Sequence, residues 1–149
     1  MHAIKQSDAC LKAILAGDAD TAARIVEQTH QENTSIIKYN DENSLSCVVT
    51  LALYSARNDY VFVREMPTGK GRADITLLPR LGKNLPAIVI ELKKDEAPSV
   101  AITQIKARQY SSSLLAFSGE VILVGMSYST NSGSIAYKRH NCIIEKISK

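Results

Sequence analysis

The sequence predicts an α/β fold, a mixed β-sheet with helices on both faces and further helices at the N-terminus. Three observations predict it. Two short apolar runs, 75–78 and 87–90, flank a polar turn at 80–85 that carries Gly82 and Asn84, the pattern of a β-hairpin. A helix start at Ala97-Pro98-Ser99 separates that hairpin from 121–126, a nearly continuous apolar run of the kind found in a strand covered on both faces. Ahead of both, 45–56 is apolar nearly all round and reads as a buried helix.

In chain order, 7–15 carries Ala9, Leu11 and Leu15 at roughly helical spacing, and Gly17 suits the stop. Asp18 or Asp20 can cap a second helix running to about His30, with Ala19, Ala22, Ala23 and Val26 on its buried side. After a polar connection at 31–35, Tyr39-Asn40-Asp41-Glu42-Asn43-Ser44 is dense in capping residues. It opens the buried helix, which ends near Arg57-Asn58; the helix dipole favours Asp41 and Glu42 at its head. Residues 61–64 form a short strand and 66–71 a loop feeding the hairpin. Gly69-Lys70-Gly71 in that loop is no phosphate cradle: Arg64 stands where the first glycine is required, Gly71 replaces the Ser or Thr, and a strand follows. The helix from Ala97 places Ile102, Ile105 and Gln109 near one stripe and continues toward Leu115. Beyond 121–126, Asn131-Ser132-Gly133 is a turn, and 134–137 and 142–145 are two short closing strands.

A chain of 149 residues suits a single compact domain, with 1–36 as an N-terminal helical segment and 37–149 as the main body. A net charge of +3 is too small to diagnose a nucleic-acid partner. No apolar run is long enough to cross a bilayer and 1–8 lacks a signal-peptide core, so no membrane partner and a cytoplasmic location are expected. Cys10, Cys47 and Cys142 are odd in number and far apart, which suggests neither a disulfide framework nor a zinc site; His2, His30 and His140 are equally scattered.

The charges of the hairpin carry the functional signal. If Leu77 pairs with Ile88 and Ile75 with Ile90, Asp74 falls opposite Glu91, and directly opposed residues share a face. Lys93, two residues beyond Glu91, shares it too. The other face is Ile75, Leu77, Ile88, Ile90 and Leu92. Two adjacent carboxylates repel unless a cation or proton lies between them. A hard divalent ion with oxygen ligands meets that need, and Mg²⁺ is the usual occupant where phosphates are handled. The plainer reading is a pair of solvated side chains where a strand emerges.

The element order with these residues resembles the PD-(D/E)XK nuclease superfamily, the restriction-endonuclease-like fold. The pattern is an acid, a variable spacer, then acid-x-lysine at the end of the next strand: Asp74, sixteen residues, Glu91-Leu92-Lys93. Ala73 stands where the usual proline would be. Tyr-Asn-Asp-Glu-Asn-Ser-Leu (39–45), Pro-Thr-Gly-Lys-Gly-Arg-Ala-Asp (67–74), Ile-Glu-Leu-Lys (90–93), Gln-Ile-Lys-Ala-Arg-Gln-Tyr (104–110) and Lys-Arg-His-Asn-Cys-Ile-Ile-Glu-Lys (138–146) together look like the family of such domains found C-terminal to an AAA-ATPase-like region.

The resemblance implies Asp74 and Glu91 as metal ligands and Lys93 as the catalytic lysine. Glu42 matches a further acid on the first core helix, a catalytic residue and possible third ligand, and Gln104 a glutamine on the helix after the catalytic strands. The implied activity is hydrolysis of nucleic-acid phosphodiesters with Mg²⁺ or Mn²⁺, on DNA ahead of RNA, in a chain that is either an excised domain or a shortened relative lacking the ATPase region. Lys70, Arg72, Arg80, Lys83, Lys94, Lys106 and Arg108 are candidate phosphate contacts. The competing expectation is a catalytically silent module of the same fold that binds nucleic acid or protein.

Overall fold

A computed structural model of the chain describes residues 2–32, 42–68, 71–94, 97–107, 120–128 and 140–148; within these, only the backbone is described at 2–5, 42–45, 64–68, 71–74, 94, 104–107 and 148. In chain order the elements are α1 (His2–Ala16), α2 (Ala19–Glu32), α3 (Glu42–Ala52), a 3-10 segment (Tyr54–Asn58), β1 (Tyr60–Thr68), β2 (Gly71–Pro79), β3 (Ala87–Lys94), α4 (Pro98–Ala107), β4 (Glu120–Tyr128) and β5 (His140–Ser148).

Local chemistry sets the helix boundaries. The α1–α2 junction closes with Asp18 N–H donating to Ala13 O at 2.8 Å. Asp18 then caps α2, accepting from Thr21 N at 3.2 Å and from Thr21 Oγ1 at 2.6 Å. These bonds hold the Asp18 carboxyl below its ordinary range. The buried helix expected to run to Arg57 ends as α-helix at Ala52 and tightens into the 3-10 segment. There Ser55 N–H donates to Ser7 Oγ at 2.9 Å, tying the segment to α1.

The five strands lie in the order β1-β2-β3-β4-β5. All neighbours are antiparallel except β3 and β4, which run parallel and are joined across one face by the stretch containing α4. The expected loop at 66–71 is corrected. β1 continues to Thr68 and β2 starts at Gly71, with Met66 opposite Ala73 and Thr68 opposite Gly71. Apolar alternation fades after Val63, but main-chain pairing does not depend on it. Pro67 is tolerated because β1 is an edge strand. The closing strand expected at 142–145 is the longer β5, and the one expected at 134–137 lies outside the described residues.

β4 is buried from Val121 to Tyr128 and feeds two cores. One face of the sheet contributes Ile75, Leu77, Ile88, Ile90, Leu92, Ile122, Val124 and Met126 to a core shared with α1, α2 and α3. The other contributes Ala87, Val89, Val121 and Leu123 beneath Ile102 of α4. Helices therefore cover both faces, and the apolar face read from the hairpin is the larger core.

The thiols differ sharply in setting. Burial pushes Cys10 and Cys142 each up to about 12; Cys10 is fully buried, Cys142 is half-buried at the edge of a cleft, and Cys47 is exposed. A native-state titration with a thiol-reactive disulfide is expected to label Cys47 within minutes. Cys142, half-buried, should react more slowly, and the fully buried Cys10 only as denaturant opens the chain, because the thiolate is the reacting form. Three equally fast thiols in native buffer would overturn this packing.

Candidate metal centre

The hairpin pairing has the register read from the sequence: Leu77 opposite Ile88, Thr76 opposite Val89 and Ile75 opposite Ile90. One residue further along each strand stand Asp74 and Glu91. Ile75, Leu77, Ile88, Ile90 and Leu92 belong to the large core, so strand alternation assigns Asp74, Thr76, Glu91 and Lys93 to the face under α4. Glu91 is only 3% exposed, and Lys93 is half-buried. A carboxylate buried to that degree on a strand is costly unless partnered by hydrogen bonds or positive charge.

Two β4 residues that sequence reasoning did not single out complete the local surface. Gly125 pairs with Glu91 and the buried Ser127 with Lys93. A Cβ at Gly125 would lie 2.4 Å from Pro98 O, 3.0 Å from Ile102 Cγ1 and 3.2 Å from Ala101 Cβ. Gly125 is therefore what lets the first turn of α4 sit against the sheet beside Glu91. The positive end of the α4 dipole lies at that turn, where Val100 N–H donates to Ala97 O at 3.0 Å. Thr76, fully buried on the same face, has no hydrogen-bond partner for Oγ1 among the described residues.

Glu42 is the first residue of α3. That helix packs through Val48, Val49 and Ala52 into the core on the opposite face from Glu91 and Lys93. α3 leads through the 3-10 segment to the start of β1, where Tyr60 pairs with Pro79 at the far end of β2 from Asp74. Its head thus points away from that far end, and Glu42 could reach the carboxylate pair only around the end of the sheet. Gln104 lies on α4, over the correct face, three residues beyond the buried Ala101. The side chains of Glu42, Asp74 and Gln104 lie outside those described. Among the described side chains, no three His, Cys, Asp or Glu gather as a metal site.

The expected cluster of phosphate-binding cations is corrected in part. Arg80 and Lys83 occupy the hairpin turn, about 20 Å from Asp74 at the rise of a β-strand. Arg80 Nε donates to Arg57 O at 2.9 Å and Lys83 Nζ pairs with Asp59 at 3.1 Å, so both serve the turn. Lys70 and Arg108 lie outside the described residues, and at Arg72, Lys94 and Lys106 the backbone alone is described.

A second polar cluster was invisible in the sequence. His30 and His140, scattered along the chain, meet in space with ring centroids 5.6 Å apart. Tyr128 closes the triangle at 5.8 Å from His30 and 5.1 Å from His140, and His140 Nδ1 contacts Glu27 Oε2. Beside it a cleft of about 280 Å³ opens between α2 and β5, bordered by Asp20, Arg24, Glu27 and Asn141. The histidine and its acid are 113 residues apart, and no local spacing could announce them.

The chemistry of the donor set suits a hard cation at the hairpin. Glu91 supplies a buried carboxylate, Asp74 stands one residue beyond the Ile75–Ile90 pair on the neighbouring strand, and both residue types are oxygen donors of the kind Mg²⁺ and Mn²⁺ take. Lys93 stands next in line on the same face. No curated protein matches the chain. A family model described as the PD-(D/E)XK nuclease superfamily matches residues 40–138, which takes in α3, the first four strands and α4. With the five-stranded mixed sheet and its two helical layers, that match over most of the chain establishes that the protein belongs to the PD-(D/E)XK nuclease superfamily.

Proposed function

We propose that the protein is a divalent-metal-dependent nuclease that hydrolyses nucleic-acid phosphodiesters, DNA ahead of RNA. The single observation that carries the reading is the hairpin register: continued one residue past the Ile75–Ile90 pair, it would bring Asp74 to the buried Glu91, with Lys93 on the same face. Asp74 and Glu91 would hold Mg²⁺ or Mn²⁺, with Glu42 as a third oxygen donor from the head of α3. The ion, when held, supplies Lewis-acid polarisation of the phosphodiester and makes water acidic enough to attack at neutral pH. Lys93 offsets the negative charge that develops on the phosphoryl oxygens, and α4 excludes bulk solvent from the face beneath it. Gln104 would orient the nucleic acid or the attacking water. By resemblance, 37–149 is the nuclease body, 1–36 its helical cover, and longer relatives are expected to join it to an AAA-ATPase-like region.

Purified protein is expected to cleave labelled single-stranded or duplex nucleic acid with Mg²⁺ or Mn²⁺, and to stop on addition of chelator. Ca²⁺ should support binding with little turnover, because its larger and looser shell positions the attacking water poorly. Glu42→Gln is expected to lower the rate by about tenfold or more at subsaturating metal and by less at saturation, the signature of a ligand. Binding without cleavage under every divalent ion and substrate would sink the enzyme reading and leave a binding module.

A further inference from the structure

Thr76 is fully buried on β2, yet its hydroxyl makes no hydrogen bond among the described residues. Leaving a buried hydroxyl unmatched costs stability, and a valine of nearly the same shape would avoid the cost. Its position is specific. Thr76 lies two residues from Asp74 on the same face of one strand and opposite Val89 on the next, which makes it the diagonal neighbour of Glu91. The three positions share one face of the sheet, the face that α4 covers over β3 and β4. A cation such as Mg²⁺ keeps several of its own waters when carboxylates hold it, and those waters need partners in the surrounding protein. A hydroxyl can donate or accept by rotating, so it suits either a water or a carboxylate oxygen.

We infer that Thr76 is a positioning residue of the metal centre: its hydroxyl is the hydrogen-bond partner of a water or carboxylate oxygen that comes within reach when Asp74 and Glu91 hold a divalent cation. This rests on the metal reading above. The unmet bond of Thr76 is the one kept for the loaded site, so removing the hydroxyl should cost metal affinity and not the stability of the fold.

Isosteric substitution separates the two states. Thr76→Val and Thr76→Ser are compared with the parent by thermal melting without metal and by calorimetric titration with Mn²⁺. Metal-free Thr76→Val is expected to melt at or above the parental temperature while binding Mn²⁺ about tenfold more weakly. Thr76→Ser, which keeps the hydroxyl, should bind within about twofold of the parent. Parental Mn²⁺ affinity in Thr76→Val overturns the inference and leaves the nuclease reading standing. A lowered metal-free melting temperature in Thr76→Val also overturns it, since the hydroxyl would then have a structural partner. A parent that binds no Mn²⁺ overturns both.

Discussion

Lys93→Ala is expected to cut the cleavage rate by about a hundredfold or more while the protein still binds Mn²⁺ at least as tightly as the parent. The two effects have one cause. An ammonium beside a cation site repels the ion in the ground state and stabilises phosphoryl negative charge in the transition state. Asp74→Ala differs in kind, because it removes an oxygen donor: metal affinity and cleavage should fall together, and excess Mn²⁺ should recover some of the loss. Lys93→Arg keeps the charge but spreads it over a planar fork, so it should recover only part of the rate. Single-turnover cleavage across a metal titration distinguishes the variants. Parental rates in both Lys93→Ala and Asp74→Ala would assign the activity to a contaminant. A Lys93→Ala protein that loses metal binding would show that the lysine acts through the fold of the site.

The part of this site that was legible in the sequence is the part that a local period can encode. Alternation over 75–78 and 87–92, with a glycine-bearing turn between, leaves one register that puts Ile75, Leu77, Ile88, Ile90 and Leu92 on the core face. Continuing that register by one residue would put Asp74 opposite Glu91. Main-chain pairing beyond Val63 was not legible, because Met66, Pro67 and Thr68 carry no alternation and their ladder with β2 is a backbone property. The side of the sheet on which each helix packs was equally hidden. α3 and α4 are both apolar, and only the tertiary fold sends Glu42 and Gln104 to opposite layers. The His30–Tyr128–His140 triangle depends on α2 docking beside β5, a contact between the two ends of the chain. Arg80 and Lys83 looked like phosphate ligands for the opposite reason. They are near the acids in sequence, but a hairpin carries its turn away from its open end.

Gly125→Ala is expected to be the most damaging single-methyl change at the site, and its effect should reach Glu91. The new Cβ would stand 2.4 Å from Pro98 O, a backbone atom that no rotamer change can clear, and 3.2 Å from Ala101 Cβ. Either α4 lifts from the sheet or β4 bends, and both disturb the ladder position paired with Glu91. Overpacking of this kind costs about 2–3 kcal/mol. For a chain of this length, that lowers the melting temperature by about 5–10 °C. Gly82→Ala is the comparison. Gly82 has φ +82° in the exposed hairpin turn, with nothing within 4 Å of an added Cβ. Its penalty is backbone strain alone, about 1 kcal/mol, about 20 Å from the acids along the strands. Gly82→Ala should therefore melt a few degrees low and retain parental Mn²⁺ affinity, whereas Gly125→Ala should lose both stability and metal affinity, since the first turn of α4 no longer seats beside the carboxylates. Melting curves with and without Mn²⁺ read both quantities: the metal-induced rise in melting temperature should persist in Gly82→Ala and shrink in Gly125→Ala. Equal rises in the two proteins would show that the seat of α4 on Gly125 has no part in holding the ion.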